Sequence, residues 1–205
     1  MIFDPEFKKA LQLLPVAEKD KLILRLLKHD LNLANKLRFE LVDTDSVLDK
    51  RNQLKVIIKK EIESATKRYY SAGYLFMDIR DISGKINEHV SITKDKFGEI
   101  SLQCLLLRQM LELNNHGIES ETYGKAYSLC IYIVARVYKI LMLIQKQHED
   151  MHIEFQEDIE AIGMLIGKND HLMRTAINNG LDVNWLIQFN IPKDIAAIHK
   201  NVRAQ

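Results

Sequence analysis

Glycine, proline and cysteine are all scarce in this chain of 205 residues, which has 8 Gly, 3 Pro and 2 Cys. Sheet proteins need many glycine- and proline-containing turns, so the scarcity of both residues favours long helices. Two cysteines cannot form a disulfide framework, and both Cys104 and Cys130 lie within apolar helical stretches. The sequence therefore predicts an all-α protein with two buried free thiols in a reducing compartment, namely the cytoplasm.

The chain also lacks a large net charge and several familiar motifs. It has 29 Lys and Arg against 28 Asp and Glu, so bulk electrostatics favours neither nucleic acid nor an acidic partner. The N-terminal stretch MIFDPEFKKAL is not a signal peptide, because no basic segment precedes an apolar run. There is no glycine-rich phosphate loop and no serine nucleophile elbow. The sequence thus offers no motif for nucleotide binding or serine hydrolysis.

The longest apolar run lies between Ala126 and Ile144, inside a helix that we predict over about residues 121–149. Arg136 and Lys139 stand near the middle of this run, where each would cost about 2.5–3.5 kcal/mol in a bilayer. We therefore expect a buried core helix and no membrane span. The two cations are expected to reach the edge of the helix or to face a groove.

Apolar spacing predicts one domain over residues 1–205, built as an up-and-down helical bundle with short flanking helices. Asn114–Gly117 is predicted to cap and end a helix that begins near Phe97. The apolar centre of that helix, residues 104–107, indicates burial on more than one side. The predicted parts are tightly packed short helices in 1–43, the bundle core in 46–167 and small helices in 168–205.

A zinc pattern follows the apolar run: His148 and His152 flank Glu149 in the arrangement His-Glu-x-x-His. On a continuous helix, two histidines four residues apart lie on one face and can share a metal, while the glutamate polarises a bound water. A zinc-dependent hydrolase with zinc as its cofactor is therefore one hypothesis. The available third ligands in the sequence are Asp158, Asp170 and His171.

The surroundings of this pattern differ from those of zinc peptidases. Such helices resemble one another in placing an apolar residue where this chain has Asp150, and the form with a third histidine has Gly and His where this chain has Phe155 and Asp158. Di-iron bundles use a similar Glu-x-x-His unit, but they need a second copy, which this sequence lacks. We therefore expect no cofactor, and we keep zinc hydrolysis as an alternative.

A basic helix is predicted over residues 46–70, and residues 46–72 contain seven Lys and Arg against three Asp and Glu. With Tyr69 and Tyr70 at its end, it could bind phosphates and stack a base, so nucleic-acid binding is a second alternative. The ordinary interpretation is a solvated helix face with surface ion pairs. The candidate contacts are Lys55, Lys59, Lys60, Lys67 and Arg68.

The C-terminal stretch loosely resembles a helix-turn-helix, although its second helix has no Lys or Arg and begins at Asp182. We expect instead a helical hairpin that covers the bundle, with Trp185 packed inward. Taken together, these features favour a non-enzymatic helical protein that binds a protein partner or itself.

Overall fold

The computed structural model describes residues 3–203, and all regular structure in that range is helical, which confirms the all-α bundle. There are eleven α-helices in this part of the chain, and a 3-10 turn at Glu149–Met151 separates the seventh from the eighth. The helices are α1 Pro5–Leu13, α2 Val16–His29, α3 Leu31–Leu41, α4 Val47–Lys67, α5 Ala72–Thr93, α6 Lys96–Ser120, α7 Tyr123–Ile144, α8 Ile153–Gly167, α9 Asp170–Asn178, α10 Asn184–Ile187 and α11 Ile195–Arg203.

Contacts divide the chain into two compact units, whose described residues are 3–44 with 91–93, and 45–90 with 94–203. In the first unit, α2 packs against α3. Asp4 caps α1, because its carboxylate accepts a hydrogen bond from the Phe7 N–H at 2.8 Å. No described residue of this unit is buried, however. The prediction of tight packing in residues 1–43 is therefore wrong, since three helices this short enclose no interior of their own.

The core of the second unit is built on α6, which packs against α4, α7, α8 and α9. Its buried side chains occupy most of the circumference of the helix, and only a narrower side with Ser101, Arg108 and Glu112 stays partly or fully exposed. Cys104, Leu106 and Leu107 are fully buried, which confirms the predicted burial on more than one side. Because α6 and α7 pack together across a connection of only two residues, they run antiparallel.

The predicted end of this helix at Asn114–Gly117 is wrong, because α6 continues through these residues. The Asn115 side-chain amide donates to the Leu165 carbonyl at 2.8 Å, so it holds a neighbouring helix rather than capping its own. At Gly117, an added Cβ would lie 3.2 Å from the ring of Tyr69, so this glycine admits an aromatic neighbour. Contacts between helices override the local stop signal here.

The predicted central helix ends at Ile144 rather than near residue 149, and α8 is a separate helix. Within the described chain, α7 alone is long and apolar enough to cross a membrane, and half of its most apolar window is buried against other helices, as in a core helix. Lys139 Nζ lies 2.6 Å from Glu99 Oε1, and the Arg136 guanidinium lies 4.7 Å from the Tyr132 ring centre. Both cations thus have partners at the edge of the core.

Gly163 sets the close approach of α8 and α10. A Cβ at this position would lie 2.8 Å from the Leu186 Cβ and 3.1 Å from the Ile187 backbone nitrogen. A backbone atom and a Cβ cannot rotate away, so a larger residue would push the helices apart. By contrast, a Cβ at Gly84 in α5 would meet nothing within 4 Å.

We predict opposite effects for alanine at these two glycines. Gly163→Ala should lower the free energy of unfolding by about 1–3 kcal/mol through overpacking. Gly84→Ala should raise it by about 0.5–1 kcal/mol, because glycine disfavours the middle of an exposed helix. Urea denaturation followed by circular dichroism measures both. Equal effects of the two substitutions would contradict the close packing at Gly163.

Candidate functional site

The predicted zinc pattern lies on a turn and not on a continuous helix. His148 precedes the 3-10 turn, and its Nδ1 lies 3.4 Å from the Asp150 backbone nitrogen. His152 is partly buried, with Nε2 3.3 Å from the Gln147 carbonyl oxygen. The shared helix face that the zinc hypothesis requires is therefore absent, because α7 ends four residues before His148.

The predicted third ligands have other partners. Asp158 accepts a hydrogen bond from Arg108 at 2.8 Å, and His171 Nε2 lies 2.8 Å from the Glu121 carbonyl oxygen. Asp170 is the first residue of α9, and its N–H donates to Glu119 at 3.3 Å. Among the residues that the structure describes, no three His, Cys, Asp or Glu side chains converge as a metal site. The geometry thus gives no support to zinc hydrolysis.

The residues of the zinc pattern do line a broad groove of about 950 Å³ between the 3-10 turn and the chain after α10. His148, Glu149 and Asp150 are all exposed on it, so the groove carries acidic and titratable groups. Lys193 contributes the opposite charge. No base is held against a nucleophile here, and the mixed lining selects no ligand charge. The complete lining is Gln145, Gln147, His148, Glu149, Asp150, His152, Phe189, Asn190, Ile191 and Lys193.

Most of the predicted nucleic-acid contacts are exposed on or beside α4, but they do not form a continuous basic surface. Val56 and Ile57 are 67% and 44% exposed on the same helix, and exposed Glu63 is a third interruption. Glu61 forms an ion pair with Lys85 of α5. Nucleic-acid binding stays a prediction. Of its five residues, Lys59, Lys60, Lys67 and Arg68 are exposed, whereas Lys55 is partly buried.

Both cysteines are buried and free, as predicted. Burial raises the pKa of the Cys104 thiol far above its ordinary value and raises the pKa of Cys130 to about 11. A thiol must ionise to act as a nucleophile or a metal ligand. Both thiols are thus protonated side chains packed in the core.

The helix-turn-helix resemblance at the C-terminus does not extend to a recognition helix. The helix that would enter a groove is α10, which has only four residues. Trp185 on this helix is partly buried and packs against the core. This region covers α8, in line with the predicted hairpin.

A buried polar cluster joins three helices of the second unit at the start of α6. Arg51 donates two hydrogen bonds to Asp95, at 2.7 and 2.6 Å, and Asp95 accepts a third from the Gly98 N–H at 2.8 Å. His89 Nε2 lies 3.2 Å from the same carboxylate. A Cβ at Gly98 would collide with the carboxylate, so glycine is required for this cap. The cluster fixes the N-terminus of the central helix.

The ionisation of Asp95 follows from these contacts. Burial alone would raise its pKa, but hydrogen bonds from Arg51, Gly98 and His89 outweigh burial and lower the pKa below the ordinary 3.8. The folded state therefore favours the ionised carboxylate. Its stabilising contribution is present above the ordinary pKa and is lost as the pH falls through the folded value.

The first unit exposes an apolar surface that its helical spacing did not predict. Of the 23 large apolar side chains that are well exposed among residues 3–200, eleven lie in 3–44, about a fifth of that range. We call these eleven the N-terminal apolar set: Phe3, Phe7, Leu13, Val16, Ile23, Leu24, Leu26, Leu31, Leu33, Leu41 and Val42. The tight packing predicted for residues 1–43 would have buried part of this set. One sequence feature could have predicted this exposure: three short helices carry more apolar residues than they can bury among themselves.

No known protein family, curated protein or solved structure shows a significant match to this chain. Of the arrangements described, the N-terminal apolar set departs most from what an isolated folded chain exposes.

We predict that Asp95→Asn lowers the free energy of unfolding at pH 7 by about 3 kcal/mol, because it leaves Arg51 without its buried counter-charge. The loss should begin to shrink as the pH falls below the ordinary pKa of 3.8, where the unfolded carboxylate takes up a proton, and it should shrink further as the pH falls through the lower folded pKa. Urea denaturation at pH 7 and pH 3.5 measures both effects. Asp81→Asn removes an exposed carboxylate and serves as the control. A pH-independent difference between Asp95→Asn and the native chain would contradict the assigned ionisation.

Proposed function

We propose that this protein is a non-enzymatic interaction protein that binds another polypeptide through the N-terminal apolar set. The observation that carries the proposal is that no described residue of 3–44 is buried, although eleven large apolar side chains there are 42–78% exposed. Single exposed apolar residues are normal on proteins, but a concentration of them marks an interaction surface.

Energetics supports this role. Transfer of apolar area out of water contributes about 25 cal/mol per Å², and three helices of 9, 14 and 11 residues gain little of it from one another. Helices of this length are marginal in water unless an apolar face is packed. A partner that covers the set therefore stabilises the first unit and gains affinity by the same contacts.

The second unit supports the role in a different way. Its core is complete without the first unit's side chains: α6 is covered by α4, α7, α8 and α9, all of the second unit. This part of the chain is a scaffold that stays folded while the apolar set is free or bound. The histidines, cysteines and carboxylates described above form no catalytic arrangement, so we assign the scaffold no reaction.

We predict that a photo-crosslinking residue at Leu24, which is 61% exposed on α2, captures a protein partner in the source cell. The additional change Leu26→Glu should reduce the crosslinked product at least fivefold, because a charge in the interface cannot be desolvated cheaply. Denaturing gel electrophoresis of the irradiated cells measures the product.

The matched control places the same residue at Ile177 on α9, which is 67% exposed in the second unit. Ile177 should give little crosslinked product. Equal capture at Ile177 and Leu24 would contradict the proposal, because it would indicate nonspecific contact. Absence of any product at Leu24 would contradict it as well.

A further inference from the structure

We infer that the partner which covers the N-terminal apolar set is a second copy of this chain, so that the protein is a homodimer. This inference rests on the proposed function and goes further by naming the occupant. It depends on three properties of residues 3–44: the apolar area that they expose, the balance of their charges and the distribution of those charges along the helices.

The exposed area matches one side of a stable dimer. A large apolar side chain offers roughly 60–120 Å² of transferable area. The eleven members of the set are each 42–78% exposed, so together they leave an apolar area on the order of 700 Å² in water. A standard interface buries about 800 Å² on each partner. The summed exposed area of the set is therefore comparable to one side of a stable isologous interface.

The charges of this segment are balanced. Residues 3–44 contain eight Lys and Arg and seven Asp and Glu. Two copies brought face to face therefore meet without net repulsion, and each surface offers both signs to the other. An isologous dimer requires such self-complementarity, because the same patch is present on both sides of the two-fold axis.

The same balance disfavours an anionic membrane surface and nucleic acid as occupants. A helix that lies on an anionic membrane is rich in Lys and Arg on its polar face. In α2, four Lys and Arg stand with Glu18 and Asp20, while Asp4 and Glu6 lie at the start of α1, so the segment as a whole is not predominantly basic. Nucleic acid would need a net positive surface, which residues 3–44 do not provide.

The middle of α2 is the natural position for the two-fold axis. Ile23, Leu24 and Leu26 are 49–61% exposed there, at the centre of a helix that spans Val16–His29. Side chains near such an axis meet their own copies, so one substitution introduces two changes into the interface. Leu24→Glu should therefore place two like charges within the apolar contact.

The test is sedimentation equilibrium of the purified full-length protein from 1 to 100 µM. We expect a mass of twice 23.8 kDa for the native chain. Leu24→Glu should raise the dissociation constant at least tenfold, whereas Ile177→Glu should leave it unchanged. Raising the salt from 0.1 to 1 M should not weaken the dimer, because the contact is apolar. Circular dichroism checks that Ile177→Glu keeps the native helix content and that Leu24→Glu loses no more helix than residues 3–44 contain.

A native chain that is monomeric throughout this range would overturn the inference, and so would a dimer that Leu24→Glu does not weaken. Cosedimentation of the native chain with phosphatidylcholine vesicles, lost in Leu24→Glu, would identify a lipid surface and overturn it too. Photo-crosslinking at Leu24 in cells distinguishes failure of the homodimer inference from failure of the proposed function. A crosslinked product of different mass from two copies overturns the homodimer and leaves the proposed function standing, whereas no product overturns both.

Discussion

The second unit depends on the burial of α6 from several sides. A helix that is buried around most of its circumference has to be covered by several others, and α6 is covered by α4, α7, α8 and α9. Its polar side chains then need internal partners: Gln103 is fully buried and donates to Ser83 at 3.4 Å. At its N-terminus, the Asp95 carboxylate caps the helix and neutralises Arg51 at once. One polar cluster thus anchors the element around which the apolar core is packed.

Patterns of a whole helix were predictable from the sequence, whereas breaks between helices were not. The all-α class, the burial of residues 104–107 and the buried thiols follow from composition and apolar spacing, which many residues determine together. A break depends on a few residues, and these have competing roles. Asn115 bonds to the Leu165 carbonyl and Gly117 admits the Tyr69 ring, so their capping signal was overridden. The end of α7 before His148 was missed in the same way.

The candidate site shows the same difference between a local sequence pattern and contacts made in three dimensions. The His-Glu-x-x-His letters are local, but a metal site is a three-dimensional property, and Asp158 and His171 turned out to have other partners. The exposure of the N-terminal apolar set was not predictable from helical spacing, for the opposite reason. Its leucines have ordinary helical spacing, and spacing alone does not say whether the neighbouring face belongs to the same chain. Only burial, which is absent throughout residues 3–44, distinguishes the two cases.

The stability of the two units consequently depends on different conditions. The second unit has its own core, so its stability is set within one chain. No described residue of the first unit is buried, so under the proposed function the partner that covers its apolar side chains would make its stability increase with partner concentration by mass action. If that partner is a second copy, the order of residues 3–44 and the oligomeric state are one equilibrium. A charge at Leu24 then acts on both together while Asp95 and the α6 core remain as they are.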